Sequence, residues 1–103
     1  MTPIVEHKQA EIAALCRELG VKRLALFGSA LRGDFDPEHS DIDLLVALPE
    51  TGDAAHYAET WLKLHDRLEK LLGRPVDLVS ERALMNPHFR KRVLESRRAL
   101  YAS

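Results

Sequence analysis

The sequence predicts a layered α+β domain in which helices pack on a small mixed sheet of three to four strands. Short apolar runs of strand length alternate along the chain with longer segments whose apolar residues recur every three or four positions. The length of 103 residues is enough for one hydrophobic core but not for two. We therefore expect residues 1–103 to form a single domain with helices layered on one sheet.

The first half of the chain predicts a helix followed by two strands. Thr2 can cap a helix over residues 3–19, and Gly20 supplies its end. Residues 24–27 and 42–48 are short apolar runs bounded by turn residues, which favours buried strands. Between the two strands we expect a short helical turn and then a polar loop.

The second half predicts a long helix, a third strand and a last helix. Asp53 is a suitable N-cap for a helix over residues 54–72, and residues 76–79 form a third apolar run. Asn86 and Pro87 combine a cap with a first-turn proline, so a final helix is expected to start there. The apolar side of this final helix is predicted to hold Phe89, Val93 and Leu100, flanked by Leu94 and Tyr101.

Composition and charge exclude several classes of protein. The net charge of −1 gives no global case for binding nucleic acid or a membrane surface, so we expect neither as a direct partner. A single cysteine, Cys16, excludes an internal disulfide and favours a reducing compartment. The chain has no apolar run of membrane-spanning length and no signal peptide, so we expect it to be cytoplasmic.

Basic residues concentrate near the C-terminus, where five of the chain's 15 lysines and arginines lie. A solvated helix face explains such a cluster. The alternative explanation is a docking surface for an acidic partner, or for RNA held by that partner. The five residues are Arg90, Lys91, Arg92, Arg97 and Arg98.

Three aspartates form the strongest candidate for a metal site. Asp41 and Asp43 are two residues apart at the start of the second strand, so their side chains project on the same face. Two carboxylates held this close repel each other, and a divalent cation relieves that repulsion. Asp77 interrupts an otherwise apolar strand, and it completes the set if the third strand neighbours the second.

A candidate phosphate site precedes these aspartates. Gly28 allows close backbone approach, and Ser29 opens a helical turn whose N–H groups can bind phosphate oxygens. An anion site beside a cation site is what phosphoryl or nucleotidyl transfer requires. The sequence lacks the EF-hand register, which argues against a calcium-binding loop. It also lacks the H-x-x-x-H and H-E-x-x-H spacings, which argues against a zinc site.

The stretch GSALRGDFDPEHSDIDLLV at residues 28–46, with VDLV at residues 76–79, resembles the minimal nucleotidyltransferases of the DNA polymerase β superfamily. Their pattern is Gly-Ser, a spacer of about ten residues, Asp-x-Asp and a third Asp on a later strand. Here 11 residues separate Ser29 from Asp41, and the extra residue falls in a loop. The resemblance implies a nucleotidyltransferase-like fold.

The resemblance also implies roles for individual residues. Asp41 and Asp43 would hold two Mg²⁺ ions on the triphosphate of ATP, and Asp77 would bind one of these ions and help deprotonate the attacking hydroxyl. Gly28 and Ser29 would contact the β- and γ-phosphates. Arg32 is a further phosphate contact or, equally, a surface ion pair.

Stand-alone chains of this kind resemble the antitoxins of toxin–antitoxin pairs whose partner is a HEPN-domain ribonuclease. The expected reaction is AMP transfer from ATP to a tyrosine of that toxin, within a homo- or hetero-oligomer. Two alternatives stay open at this point. The chain could neutralise the toxin by binding alone, or it could transfer a nucleotide to a small molecule or RNA with a helper subunit.

Overall fold

The computed structural model describes residues 3–28, 41–49, 52–84 and 86–102. Helices in these residues are α1 (Pro3–His7), α2 (Gln9–Leu19), α3 (Ala54–Leu72) and α4 (Pro87–Ser96), with a 3₁₀ turn at Glu81–Ala83. Strands are β1 (Arg23–Phe27), β2 (Ile42–Ala47), β3 (Val76–Ser80) and β4 (Arg98–Ala102). The α+β class is confirmed. The predicted cap Thr2 and the turn and loop expected over residues 29–40 lie outside this description.

The strands form one mixed sheet in the order β3-β2-β1-β4. β1 runs antiparallel to β2 and to β4, whereas β2 and β3 are parallel and are connected through α3. The register pairs Phe27 with Asp43 and Asp43 with Asp77. The end of β1 and the starts of β2 and β3 therefore meet at one end of the sheet.

Both faces of the sheet are covered. Leu26 of β1 packs in the larger core cluster with residues of α1, α2 and α3. The next residue, Phe27, points to the other face and packs with Leu45 and with Val93 of α4. Strands buried on both faces have nearly continuous apolar sequences, which is the pattern of residues 24–27 in β1 and, apart from Asp43, of β2. Asp43 lies two residues before Leu45 and so shares the face that α4 covers.

The long helix α3 is as predicted. The side chain of Asp53 caps it by accepting a hydrogen bond of 3.1 Å from the backbone N–H of His56. Leu64 and Leu68 are fully buried, and Trp61 is half-buried against the same core cluster. That cluster lies on the face of the sheet opposite Asp43. In the part of the chain that the structure describes, no helix is long and apolar enough to cross a membrane.

The single helix predicted over residues 3–19 is wrong in one respect, because it is divided at Lys8. The backbone of Lys8 has φ −107° and ψ 7°, and its N–H donates to the carbonyl of Val5 at 3.2 Å, a tighter turn than the α-helical one. Both segments still bury an apolar residue completely, Val5 in α1 and Ile12 in α2. Apolar spacing alone does not distinguish a continuous helix from two segments that share one buried face.

The prediction that the final helix continues through Leu100 is also wrong. α4 ends at Ser96, Arg97 is extended (φ −69°, ψ 149°), and β4 pairs with the otherwise open edge of β1. Val93 packs on one face of the sheet and Leu100 on the other, which one straight helix could not achieve. Unpaired backbone groups on β1 need partners, and this requirement outweighs the helical spacing of the two residues.

Glu81 joins three segments beside the sheet. Its carboxylate accepts two hydrogen bonds from the Arg23 guanidinium, at 2.9 and 3.4 Å, and lies 3.6 Å from Arg97. The Glu81 side chain is 24% exposed, so this pair is less screened by solvent than the surface pairs on α3. The hydrogen bond from Arg23 is the main reason that the pKa of Glu81 lies below its usual value.

We expect the Glu81→Gln substitution to lower the free energy of unfolding by up to about 1 kcal/mol at neutral pH. Because the pKa of Glu81 is lowered in the folded state, its stabilisation is complete above the unfolded value near 4.5 and is lost as the pH falls through the lower folded value. Urea unfolding at pH 7 and pH 3 tests this. The difference between the two proteins should be smaller at pH 3 than at pH 7, and equal stability at pH 7 would contradict the assignment.

Candidate active site

The three predicted carboxylates lie at the end of the sheet where β2 and β3 begin. Asp43 and Asp77 are register partners on adjacent parallel strands, so their Cα atoms are about 4.8 Å apart and their side chains project on the same face. Asp41 immediately precedes β2. The hydrogen bonding between β2 and β3 continues toward Asp41, since the N–H of Ile42 donates to the carbonyl of Pro75 at 3.1 Å. Asp41 and Asp77 are exposed, whereas Asp43 is half-buried.

Two side chains of α3 hold the start of β3 in place. The N–H of Val76 donates to the Glu69 carboxylate at 2.9 Å, and the carbonyl of Val76 lies 2.9 Å from Nε2 of His65. A carbonyl can only accept, so Nε2 of His65 carries the proton. These bonds fix the backbone next to Asp77. Sequence patterns did not indicate them, because the two residues are simply polar positions on an amphipathic helix.

Gly28 directly follows β1 and lies against the side chain of Asp43. Its φ is +74°, in the left-handed region that favours glycine. A Cβ atom built on Gly28 would overlap Oδ2 of Asp43 and lie 3.1 Å from its Cγ. The missing side chain therefore leaves room for the Asp43 carboxylate against the backbone of β1. The group that approaches Gly28 here is a carboxylate, and the predicted contact of Gly28 with phosphate stays a prediction.

A cavity of about 500 Å³ opens between this end of the sheet and α4. It holds Asp43 and Gly28, whereas Asp41 and Asp77 do not line it. The described residues that line the cavity are Phe27, Gly28, Asp43, Phe89, Arg92, Val93, Glu95 and Ser96. The cavity volume falls in the range of small-molecule sites in proteins, roughly 300–1,000 Å³.

The contribution of α4 to this cavity is the feature that sequence analysis missed. Phe89 and Val93 were predicted on the apolar side of the helix, but Phe89 is 46% exposed and only Val93 is buried. Arg92 is part of the basic cluster whose purpose was left open. A signal was present, since Phe89, Arg92, Val93 and Ser96 are three or four residues apart and so share one helix face.

The arrangement of carboxylates fits a divalent cation. Asp43 and Asp77 present hard oxygen donors side by side, and Gly28 leaves space next to Asp43. The described residues include Asp41, Asp43 and Asp77, but no group of three or more His, Cys, Asp or Glu side chains among them is arranged to hold a metal ion. The structure therefore brings Asp43 and Asp77 together as a pair and does not group all three carboxylates. Mg²⁺ commonly binds one or two carboxylates and completes its octahedron with water and substrate phosphates, which suits a site of this kind.

Two predicted site residues, Ser29 and Arg32, lie outside the described residues. Ser29 directly follows Gly28 in the sequence. The predicted phosphate contacts of both residues stay predictions.

Comparison with known proteins identifies the family. The nucleotidyltransferase domain family matches residues 10–100 of this chain. A candidate protein adenylyltransferase of Methanocaldococcus jannaschii is 41% identical over 75 residues, which cover 73% of this chain and 72% of that protein.

Solved structures agree with this match. A candidate minimal nucleotidyltransferase aligns with a TM-score of 0.72 and 38% identity, over 91% of this chain and 90% of the other. A chain of a toxin–antitoxin complex with AMP-PNP aligns with a TM-score of 0.67 and 27% identity, over 92% of this chain and 73% of the other. A chain from the complex of the tri-AMPylated Shewanella oneidensis HEPN toxin with an MNT antitoxin aligns with a TM-score of 0.62 and 25% identity. This alignment covers 95% of the present chain and 72% of the other. The chain described here belongs to the nucleotidyltransferase domain family.

Proposed function

We propose that this protein transfers AMP from ATP to a tyrosine of a HEPN-domain toxin and thereby acts as its antitoxin. The observation that carries the proposal is the in-register pair of Asp43 and Asp77, with Gly28 leaving space against Asp43. Relatives of this chain support the acceptor class, since they include a candidate protein adenylyltransferase and a chain from a complex with an AMPylated HEPN toxin.

The chemistry is a displacement at the α-phosphorus of ATP. The tyrosine oxygen attacks this phosphorus and passes its proton to the carboxylate of Asp77. The bond from the α-phosphorus to the oxygen bridging the β-phosphate breaks, and pyrophosphate leaves. Two Mg²⁺ ions, held by Asp41 and Asp43 with Asp77 on one of them, would supply the positive charge that stabilises the transition state.

The remaining site residues position the nucleotide. Gly28 and Ser29 contact the β- and γ-phosphates through their N–H groups. Gly28 has no side chain that would displace the Asp43 carboxylate. Arg32 adds a charged donor to the same phosphates. Asp43 is the central member of the set, because it neighbours Gly28 on one side and Asp77 on the other.

Transfer of a label from ATP tests this proposal. The protein is incubated with Mg²⁺, the purified HEPN-domain toxin and ATP labelled at either the α- or the γ-phosphate. We expect α-label on a toxin tyrosine, no γ-label on the toxin, and loss of the signal with excess EDTA. Gamma-label on the toxin would mean phosphoryl transfer and would contradict the proposed reaction.

The same reactions separate the alternatives. Neutralisation of the toxin with no label on either protein would indicate inhibition by binding alone. Label on RNA or on a small molecule, with none on the toxin, would indicate a different acceptor. The free protein and its complex should also be weighed by light scattering, because the proposal includes assembly with the toxin.

A further inference from the structure

Helix α4 forms a wall of the Asp43 cavity that the proposed metal chemistry does not use. We call Phe89, Arg92 and Ser96 the α4 wall. Val93, on the same helix face, is 3% exposed and packs with Phe27 and Leu45, so it fixes the wall against the sheet. The α4 wall therefore has a defined position opposite the end of the sheet that holds Asp43.

Phe89 presents an aromatic ring to this cavity. It is one of two large hydrophobic residues in the described segments that are strongly exposed, at 46%, and the other is Leu62 of α3 at 67%. Leu62 lines none of the described cavities, whereas Phe89 lines the cavity that contains Asp43. An exposed aromatic ring at the edge of a cavity is suited to stacking on a nucleobase.

Arg92 is the one cation among the described residues that line the cavity. Among the described residues Arg92 forms no ion pair, and Glu95, which also lines the cavity, lies 4.0 Å from Lys91. A triphosphate beside Asp43 places several negative charges together. A guanidinium can donate two hydrogen bonds to phosphate oxygens and reduce this repulsion.

We infer that the α4 wall binds the nucleotide, with the base stacked on Phe89 and the triphosphate paired with Arg92. This inference rests on the proposed function, because it takes the Asp43 cavity as the nucleotide site. The cavity volume of about 500 Å³ is adequate for a nucleotide. The wall lies on the same cavity as Gly28 and Asp43, which favours the nucleotide over the acceptor protein as its occupant.

Titrating the protein with ATP or with tripolyphosphate distinguishes the contact of Phe89 with the base from the contact of Arg92 with the phosphates. Binding of ATP and of inorganic tripolyphosphate is measured by calorimetry with Mg²⁺ and without toxin. We expect Phe89→Ala to weaken ATP binding about tenfold and to leave tripolyphosphate binding unchanged, because only ATP has a base to stack. Arg92→Gln is expected to weaken both by about tenfold, since both carry the phosphates. Phe89→Trp should retain ATP binding.

Two variants serve as matched controls. Leu62→Ala removes the other exposed hydrophobic side chain, and Lys91→Gln removes the basic residue next to Arg92 that does not line the cavity. Neither should change ATP binding. All the substituted side chains are exposed, so circular dichroism and the melting temperature should match the parent protein.

The outcomes distinguish this inference from the proposed function. Unchanged ATP affinity in both Phe89→Ala and Arg92→Gln overturns the inference and leaves AMP transfer standing. A higher KM for the toxin with unchanged ATP affinity also overturns it, because the wall would then contact the acceptor. Absence of ATP binding by the parent protein overturns both. The predicted losses of ATP affinity without any labelled toxin would support the wall and contradict the proposed acceptor.

Discussion

Replacing Asp43 with asparagine is expected to lower AMP transfer by at least about a hundredfold. The asparagine side chain would keep the size and shape of the aspartate but would lack the negative charge that a divalent cation requires. Asp43 is central to the site, as the register partner of Asp77 and the side chain in contact with Gly28. The initial rate of α-label transfer to the toxin, measured over a range of Mg²⁺ concentrations, tests this expectation.

Asp66→Asn is the matched control for this substitution. Asp66 is an exposed residue of α3 that pairs with Lys70 at 2.9 Å, so its replacement removes the same charge from a surface ion pair. Transfer by Asp66→Asn should equal that of the parent protein. Transfer by Asp43→Asn at the parent rate would show that the metal site is wrong. Toxin neutralisation that survives in Asp43→Asn without transfer would show that binding alone is sufficient.

The Gly28→Ala substitution is expected to reduce both stability and activity. Its φ of +74° is unfavourable for alanine by about 1 kcal/mol or more, and the new methyl group would displace the Asp43 carboxylate. Displacement of a group that must be placed within a fraction of an ångström costs on the order of a hundredfold in rate. Urea unfolding and label transfer on the same preparation measure the two effects.

Gly20→Ala is the control that separates the effect of backbone strain from the effect of displacing the Asp43 carboxylate. Gly20 has φ +73°, nearly the same as Gly28, but nothing lies within 4 Å of the position that its Cβ would occupy. We expect a similar loss of stability with full transfer activity. If Gly20→Ala loses activity as severely as Gly28→Ala, strain is the cause and the contact with Asp43 is not.

Local signals predicted most of the fold. The cap at Asp53 and the apolar spacing of α3 were sufficient to locate that helix, because both act within one turn of the chain. The C-terminal strand could not be predicted in this way. Val93 and Leu100 are seven residues apart, which suits a helix, and only the open edge of β1 explains why Leu100 joins a strand instead.

The candidate site was predictable where its chemistry is carried by residue type. Aspartates two residues apart, and a glycine at the end of a strand, indicate hard ligands and close approach. The pairing of Asp43 with Asp77 depends on the parallel register of β2 and β3, which α3 sets and no short motif encodes. The position of Phe89 at the cavity depends on which face of α4 meets the sheet.

The order of the strands divides the carboxylates between two environments. Asp43 lies on an inner strand that is paired on both sides, whereas Asp77 lies on β3 at the margin of the sheet. Backbone amides of inner strands exchange with solvent only in large unfolding events, and those of marginal strands exchange through smaller local openings. Of these two carboxylates, Asp77 is therefore the one whose position depends more on local fluctuations. The bonds from His65 and Glu69 to Val76 restrain it at the point where such an opening would begin.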